Sequence, residues 1–185
     1  MWIINVLILC GWVVLLAYLI ISAAHSKRNK LPSSKKSIVL RLAILILFLL
    51  IVLSIPVKNS DNANTPNDIV RIVGLVLFLL GLATVIWARI NLGRNWGLPM
   101  TDKTKPRLVT SGPYHLVRHP IYAGIILSLL GFALAVNVYW IFIFVIAMVF
   151  FIYSALVEEK IMTKKFPNEY PDYKKKTKML IPFIL

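Results

Sequence analysis

The chain has 185 residues, is 59% apolar and has a mean hydropathy of +0.80, well above the roughly 45–50% apolar content of soluble domains, which leaves little room for a separate soluble domain. Cys10 is the only cysteine, which excludes a disulfide framework and a cysteine metal site within one chain. The net charge of +14 sits in particular loops, so it reads as membrane topology and attraction to anionic lipid rather than nucleic-acid binding.

A bilayer span needs about 20 apolar residues. Residues 2–24 form a first candidate with no charge in it. They lack a basic leader and are too long for a typical signal peptide, so they read as a retained span, although Ser22-Ala-Ala weakly mimics a cleavage site. Residues 38–57 form a second, with Arg41 close enough to one end to snorkel outward. Residues 69–88 form a third, in which Ile69 and Val70 extend a short apolar core. Residues 59–67 (NSDNANTPN) read as a polar connector on the outer side.

From Ile121 to Val157 no residue is charged. One helix over that run would reach roughly 55 Å, against a hydrocarbon core of roughly 30 Å. The run must fold back. Asn137, between Val136 and Val138 and followed by Tyr139 and Trp140, fits a polar turn beside an aromatic belt. The reading is therefore two spans, 121–136 and 138–157, in a tight helical hairpin. The predicted fold is a single all-α integral membrane domain with five transmembrane helices, its C-terminal half covering 89–185.

Basic residues set the orientation. Residues 25–37 hold Lys27, Arg28, Lys30, Lys35 and Lys36, the segment 89–118 holds six basic residues, and the chain after Glu158 holds seven lysines. The loop 58–71 has only Lys58 and Arg71, offset by Asp61 and Asp68. This predicts a multi-pass protein with its N-terminus outside and its C-terminus in the cytoplasm.

The unusual polar residues all fall on the cytoplasmic side. The segment Gly112-Pro-Tyr-His-Leu-Val-Arg-His-Pro-Ile-Tyr-Ala-Gly sets two histidines, an arginine and two tyrosines against the start of the long apolar run. Ionisable groups at span ends are costly to dehydrate, which points to a use. Pro120 suits a first helical turn, where its missing N–H costs nothing. Arg118 and His119 then stand at the positive end of a helix, which favours an anion. Gly124 permits close approach of a ligand or another helix. Glu158 and Glu159 return on the same side, so His119 and Glu158 are predicted neighbours. A ligand with an anionic and a cationic end fits this setting. Three histidines, one of them the distant His25, do not suggest a metal site. The motifs of zincins, α/β-hydrolases, P-loops and Rossmann folds do not occur.

The run L-V-T-S-G-P-Y-x-x-x-R-H-P-x-Y-x-G, Leu108 to Gly124, resembles the isoprenylcysteine carboxyl methyltransferases and related membrane phospholipid methyltransferases. The tail agrees: Glu158-Glu159, Phe166, Glu169-Tyr170, Tyr173 and Leu180-Ile-Pro-Phe resemble the family's ending. The resemblance implies an S-adenosylmethionine cofactor at the cytoplasmic face, in a pocket built by the last two spans and closed by the C-terminal tail. It carries cofactor contacts over to Leu108, Val109, Tyr114, His119, Pro120, Tyr122 and Glu158. Arg118 and Glu159 are the candidate catalytic residues. The implied substrate is a membrane-embedded lipid, either prenylcysteine-type with a carboxylate or phospholipid-like, reached from the bilayer. One departure stands out: members that methylate prenylcysteine carry an arginine one turn before the acidic pair, where this chain has Ser154. Two alternatives remain, a membrane reductase of sterol-reductase type using a nicotinamide cofactor and a non-enzymatic lipid-binding membrane protein.

Overall fold

The computed structural model describes residues 2–24, 66–93 and 108–182. The predicted second span and the basic loop before it lie outside the described residues. The elements are α1 (Trp2–Ala24), α2 (Asp68–Leu92), α3 (Pro120–Val136), α4 (Ile141–Lys165) and the short α5 (Tyr170–Lys176), with two 3-10 turns at Gly112–His115 and Val138–Trp140. Among the described residues, Trp2–Ser22, Asp68–Leu92 and Val138–Lys165 are long and apolar enough to cross a membrane. α3 is shorter, with 17 residues, or about 25 Å.

α2 is longer than the 69–88 read from hydropathy. It starts at Asp68 because the Asn67 side chain accepts from the Val70 N–H (2.9 Å), satisfying one of the orphan donors of the first turn. It runs past Arg89 because that charge is buried and paired. Arg89 Nη2 donates to the Ser22 carbonyl at the end of α1 (2.7 Å), and Nη1 donates to the Gly93 carbonyl (2.5 Å). At the other end Arg71, within the predicted span of 69–88 but also counted among the loop's charges, is inside α2 and buried. Its Nη2 donates to Asn5 Oδ1 on α1 (2.9 Å) and its Nε to the Ala135 carbonyl on α3 (3.0 Å). These contacts join the starts of α1 and α2 and, separately, their ends, so the two helices run parallel. α3 runs antiparallel to α2.

Glycines bring α2 and α3 into backbone contact. A Cβ on Gly74 would stand 2.6 Å from the Ala135 nitrogen, and one on Gly124 2.8 Å from the Gly81 carbonyl oxygen. The close approach that Gly124 permits is therefore used by a helix. Without a hydrophobic force between helices in lipid, such small-residue faces supply the packing. Phe78, Val85 and Phe132 fill the rest of this seam, with Ile8 and Trp12 of α1 against it. Trp12 meets Phe78 edge-on, with ring centroids 5.3 Å apart.

Asn137 is extended (φ −164, ψ 136), and its side chain accepts from the Tyr139 N–H (3.0 Å), which starts the Val138–Trp140 turn. α4 then begins at Ile141 and continues to Lys165, beyond the predicted limit of residue 157. The stretch from Ile141 to Glu158 is about as long as α3, so the acidic pair returns level with His119.

Candidate functional site

The site is assembled where α3 begins and α4 passes its acidic pair. The 3-10 turn at Gly112–His115 and Pro120 at the first helical position carry the chain into α3, with His119 as its N-cap. His119 is 8% exposed. Its ring lies parallel to that of Tyr122 (centroids 5.4 Å, 3°), the spacing expected across the first turn. Tyr122 in turn leans on Phe151 of α4 (5.0 Å).

His119 Nδ1 is 3.5 Å from Glu158 Oε2, so the predicted neighbours, 39 residues apart, do meet. Its Nε2 is 3.8 Å from Glu159 Oε1, too far for a hydrogen bond, and this buried atom has no hydrogen-bond partner among the described residues. Burial disfavours the charged imidazole, but the two carboxylates outweigh it and hold the His119 pKa above its ordinary value. Glu158 keeps 23% of its side chain exposed, whereas Glu159 keeps 5%.

Glu159 is the knot of the cluster. Arg118 Nε donates to its Oε1 (2.6 Å) and Lys174 Nζ to its Oε2 (2.6 Å). Arg118 Nη1 also donates to the carbonyls of Thr177 and Lys174, the latter at 3.3 Å. Backbone bonds continue the join: Arg118 N–H donates to the Lys178 carbonyl (2.8 Å) and His119 N–H to the Met179 carbonyl (3.0 Å). Val117 and Lys178 form a parallel bridge. The Tyr173 hydroxyl donates to the Tyr114 carbonyl (2.5 Å). Residues 170–180 thus lie as a strap along 114–119. Beneath it Tyr122, Ala155, Met179 and Leu180 make a small apolar cluster.

Burial pushes up the hydroxyl pKa of Tyr114, with a further rise from the Glu158 charge. Tyr170 rises for the same first reason, followed by Glu159. Tyr173 is pushed up to about 12, mainly by burial. All three hydroxyls are neutral at physiological pH.

Of the predicted cofactor contacts, Tyr114, His119, Pro120 and Tyr122 are buried and Glu158 is partly buried; His119 meets both Tyr122 and Glu158. Leu108 and Val109 are half-buried where the described chain resumes. Arg118 and Glu159, the candidate catalytic residues, are bound to each other and to the strap. His115 is exposed, its Nδ1 2.5 Å from the Gly112 carbonyl, and stands apart from the cluster. Ser154 is fully buried and its hydroxyl donates to the Phe150 carbonyl (2.9 Å). Sequence reasoning missed Lys174 and Thr177; no pattern marks one lysine among seven or a backbone carbonyl. Among the described residues, no group of three or more His, Cys, Asp or Glu could hold a metal ion.

Residues 69–169, more than half of the chain, match the family described as phospholipid methyltransferase. Over 119 residues the chain is 34% identical to the cobalt-zinc-cadmium resistance protein CzcN of Cupriavidus metallidurans, covering 60% of this chain and 51% of that one. Over 82 residues it is 35% identical to methanethiol S-methyltransferase 1 of Bradyrhizobium diazoefficiens, covering 44% of this chain and 28% of that one. The chain spans about half the length of the first relative and less of the second. Among solved structures, the eukaryotic intramembrane Ras methyltransferase (isoprenylcysteine carboxyl methyltransferase) matches with a TM-score of 0.58 at 23% identity, covering 84% of this chain and 55% of that one. That likeness is one of fold.

Proposed function

The chain belongs to the phospholipid methyltransferase family, and from that membership we propose that it transfers a methyl group from S-adenosylmethionine to a lipidic acceptor in the bilayer. Membership favours methyl transfer over nicotinamide-dependent reduction or plain lipid binding. The observation that carries the site is the convergence of His119, Tyr122 and Glu158 at the start of α3, roofed by the strap and leaving His119 Nε2 buried without a hydrogen-bond partner among the described residues. A buried donor or acceptor without a partner is costly, so a ligand atom there is favoured.

The residues fit a zwitterionic donor. His119 and the N-terminal end of α3 suit its carboxylate. The half-exposed Glu158 suits its amine or ribose hydroxyls. Tyr114, Tyr122, Pro120, Leu108 and Val109 would line the rest. When bound, this cofactor supplies a methyl group already activated as a sulfonium. The chain's task is then to hold acceptor and donor in line and to exclude water. Arg118 and Glu159 we assign to positioning. Their charges meet each other and the strap, so they act through His119 and residues 170–180 rather than on the acceptor.

Five spans, the last two a hairpin, complete the reading, with the N-terminus outside and the site at the cytoplasmic face. The parallel course of α1 and α2, which sets the start of α2 level with the start of α1, supports it. The test is incubation of membranes holding the protein with a methyl-labelled donor, total lipid and a prenylcysteine analogue. Label in a lipid or prenylcysteine fraction, lost in Glu158→Ala, is the expected result. Label in neither fraction from folded protein would refute the proposal.

A further inference from the structure

The end of the molecule that carries the site also carries a strongly basic surface. Lys160 and Lys164 lie one turn apart and exposed on α4, and Lys176 and Lys178 are exposed on the strap. Lys174 is taken by Glu159 and Lys175 by Asp172 (3.1 Å). The first four lysines have no carboxylate among the described residues to answer them. Glu169 and Asp172 are the exposed acids nearby, and Asp172 already holds Lys175. Two large apolar side chains stand exposed next to them, Ile181 (49%) just past the strap and Leu116 (38%) just past the 3-10 turn. Exposed lysines interleaved with exposed aliphatic side chains are the composition of a segment that lies in a headgroup layer.

We propose that these four lysines dock on the anionic headgroups of the bilayer that holds the protein, and that docking keeps the strap closed over residues 114–119. The coupling is short. Lys178 and Met179 carry the carbonyls that accept from the Arg118 and His119 amides. Lys176 and Lys178 flank Thr177, whose carbonyl holds Arg118. A headgroup layer that captures these lysines holds the same residues that close the site. Each lysine near an anionic surface contributes about fivefold to such an equilibrium, decaying within a Debye length of about 8 Å at physiological salt. A bilayer fits better than a free polyanion because the two exposed aliphatic side chains need an apolar layer.

The test places the whole protein in nanodiscs of phosphatidylcholine, with or without phosphatidylglycerol, and follows amide exchange in residues 114–119 and 170–180. Anionic lipid should slow exchange there by about tenfold or more, and high salt should reverse it. The quadruple variant Lys160→Gln, Lys164→Gln, Lys176→Gln, Lys178→Gln should lose the response, and the corresponding Lys→Arg variant should keep it. Equal exchange in both lipids would overturn the proposal, as would a response that survives in the glutamine variant. So would the same slowing by soluble heparin in phosphatidylcholine alone. Regulation of the site rests on the proposed function, but this readout does not: lipid-dependent protection without any methyl transfer would remove the activity and leave the docking surface standing.

Discussion

Replacing Glu159 by Gln keeps the shape of the side chain and removes the charge on which Arg118, Lys174 and His119 converge. The carboxylate and the guanidinium are 5% and 9% exposed and 2.6 Å apart. Breaking a buried pair by removing one partner costs about 3–5 kcal/mol. Arg118 keeps the Thr177 and Lys174 carbonyls, so the low end applies, about 3 kcal/mol. Lys174 is 51% exposed, and its share is at most about 1 kcal/mol. At tenfold per 1.4 kcal/mol, the strap should open roughly 100-fold more often. The amides of Arg118 and His119, bonded to the Lys178 and Met179 carbonyls, report it directly by hydrogen exchange. Glu159→Gln should speed their exchange by about that factor, and Arg118→Gln on the same background should add much less than it does alone. Lys174→Gln should speed it less than tenfold. If Glu159→Gln leaves these amides unchanged, or matches Lys174→Gln, the knot does not hold the strap.

The glycine seam predicts that Gly81→Ala and Gly124→Ala each destabilise by about 1–3 kcal/mol in a detergent unfolding measurement, because each added methyl meets backbone of the facing helix as well as the side chain of Ser128 or Val85. Arg71→Ala should cost about 1–3 kcal/mol, since it strips a donor from Asn5 and from the Ala135 carbonyl in a buried place; no loss would mean that α1 is held without it. For pH, the folded His119 pKa is raised, so its charged form contributes stability in full below the ordinary value of 6.5. That contribution is lost as pH rises through the raised folded value. The stability gap between the parent protein and His119→Gln should therefore shrink as pH rises above 6.5; a gap that widens contradicts the pairing with Glu158 and Glu159.

Much of this was legible in the residues because hydropathy and a single polar interruption carry far. Asn137 sits where the chain turns, and equal helical lengths on either side bring His119 to Glu158. What hydropathy misplaced are the helix ends. It stopped α2 at Ala88, just before Arg89, and α4 at Val157, but a helix ends where its backbone loses partners, and the Arg89 side chain has carbonyl acceptors in a buried place. The roles within the acidic pair were not legible either. Adjacent residues on a helix point about 100° apart. Only the packed register shows that Glu159 faces the strap while Glu158 meets His119 and stays partly exposed. The strap itself is joined by backbone bonds at Lys178 and Met179, which leave no mark in side-chain type.

The central claim is that His119 and Glu158 hold a zwitterionic methyl donor at the start of α3. Calorimetric titration of S-adenosylmethionine into the purified protein in lipid nanodiscs tests it most directly. The account predicts saturable binding that His119→Ala and Glu158→Ala abolish or weaken far more than Glu169→Ala does. Folded protein that takes up no donor, or three variants that bind it alike, would contradict it.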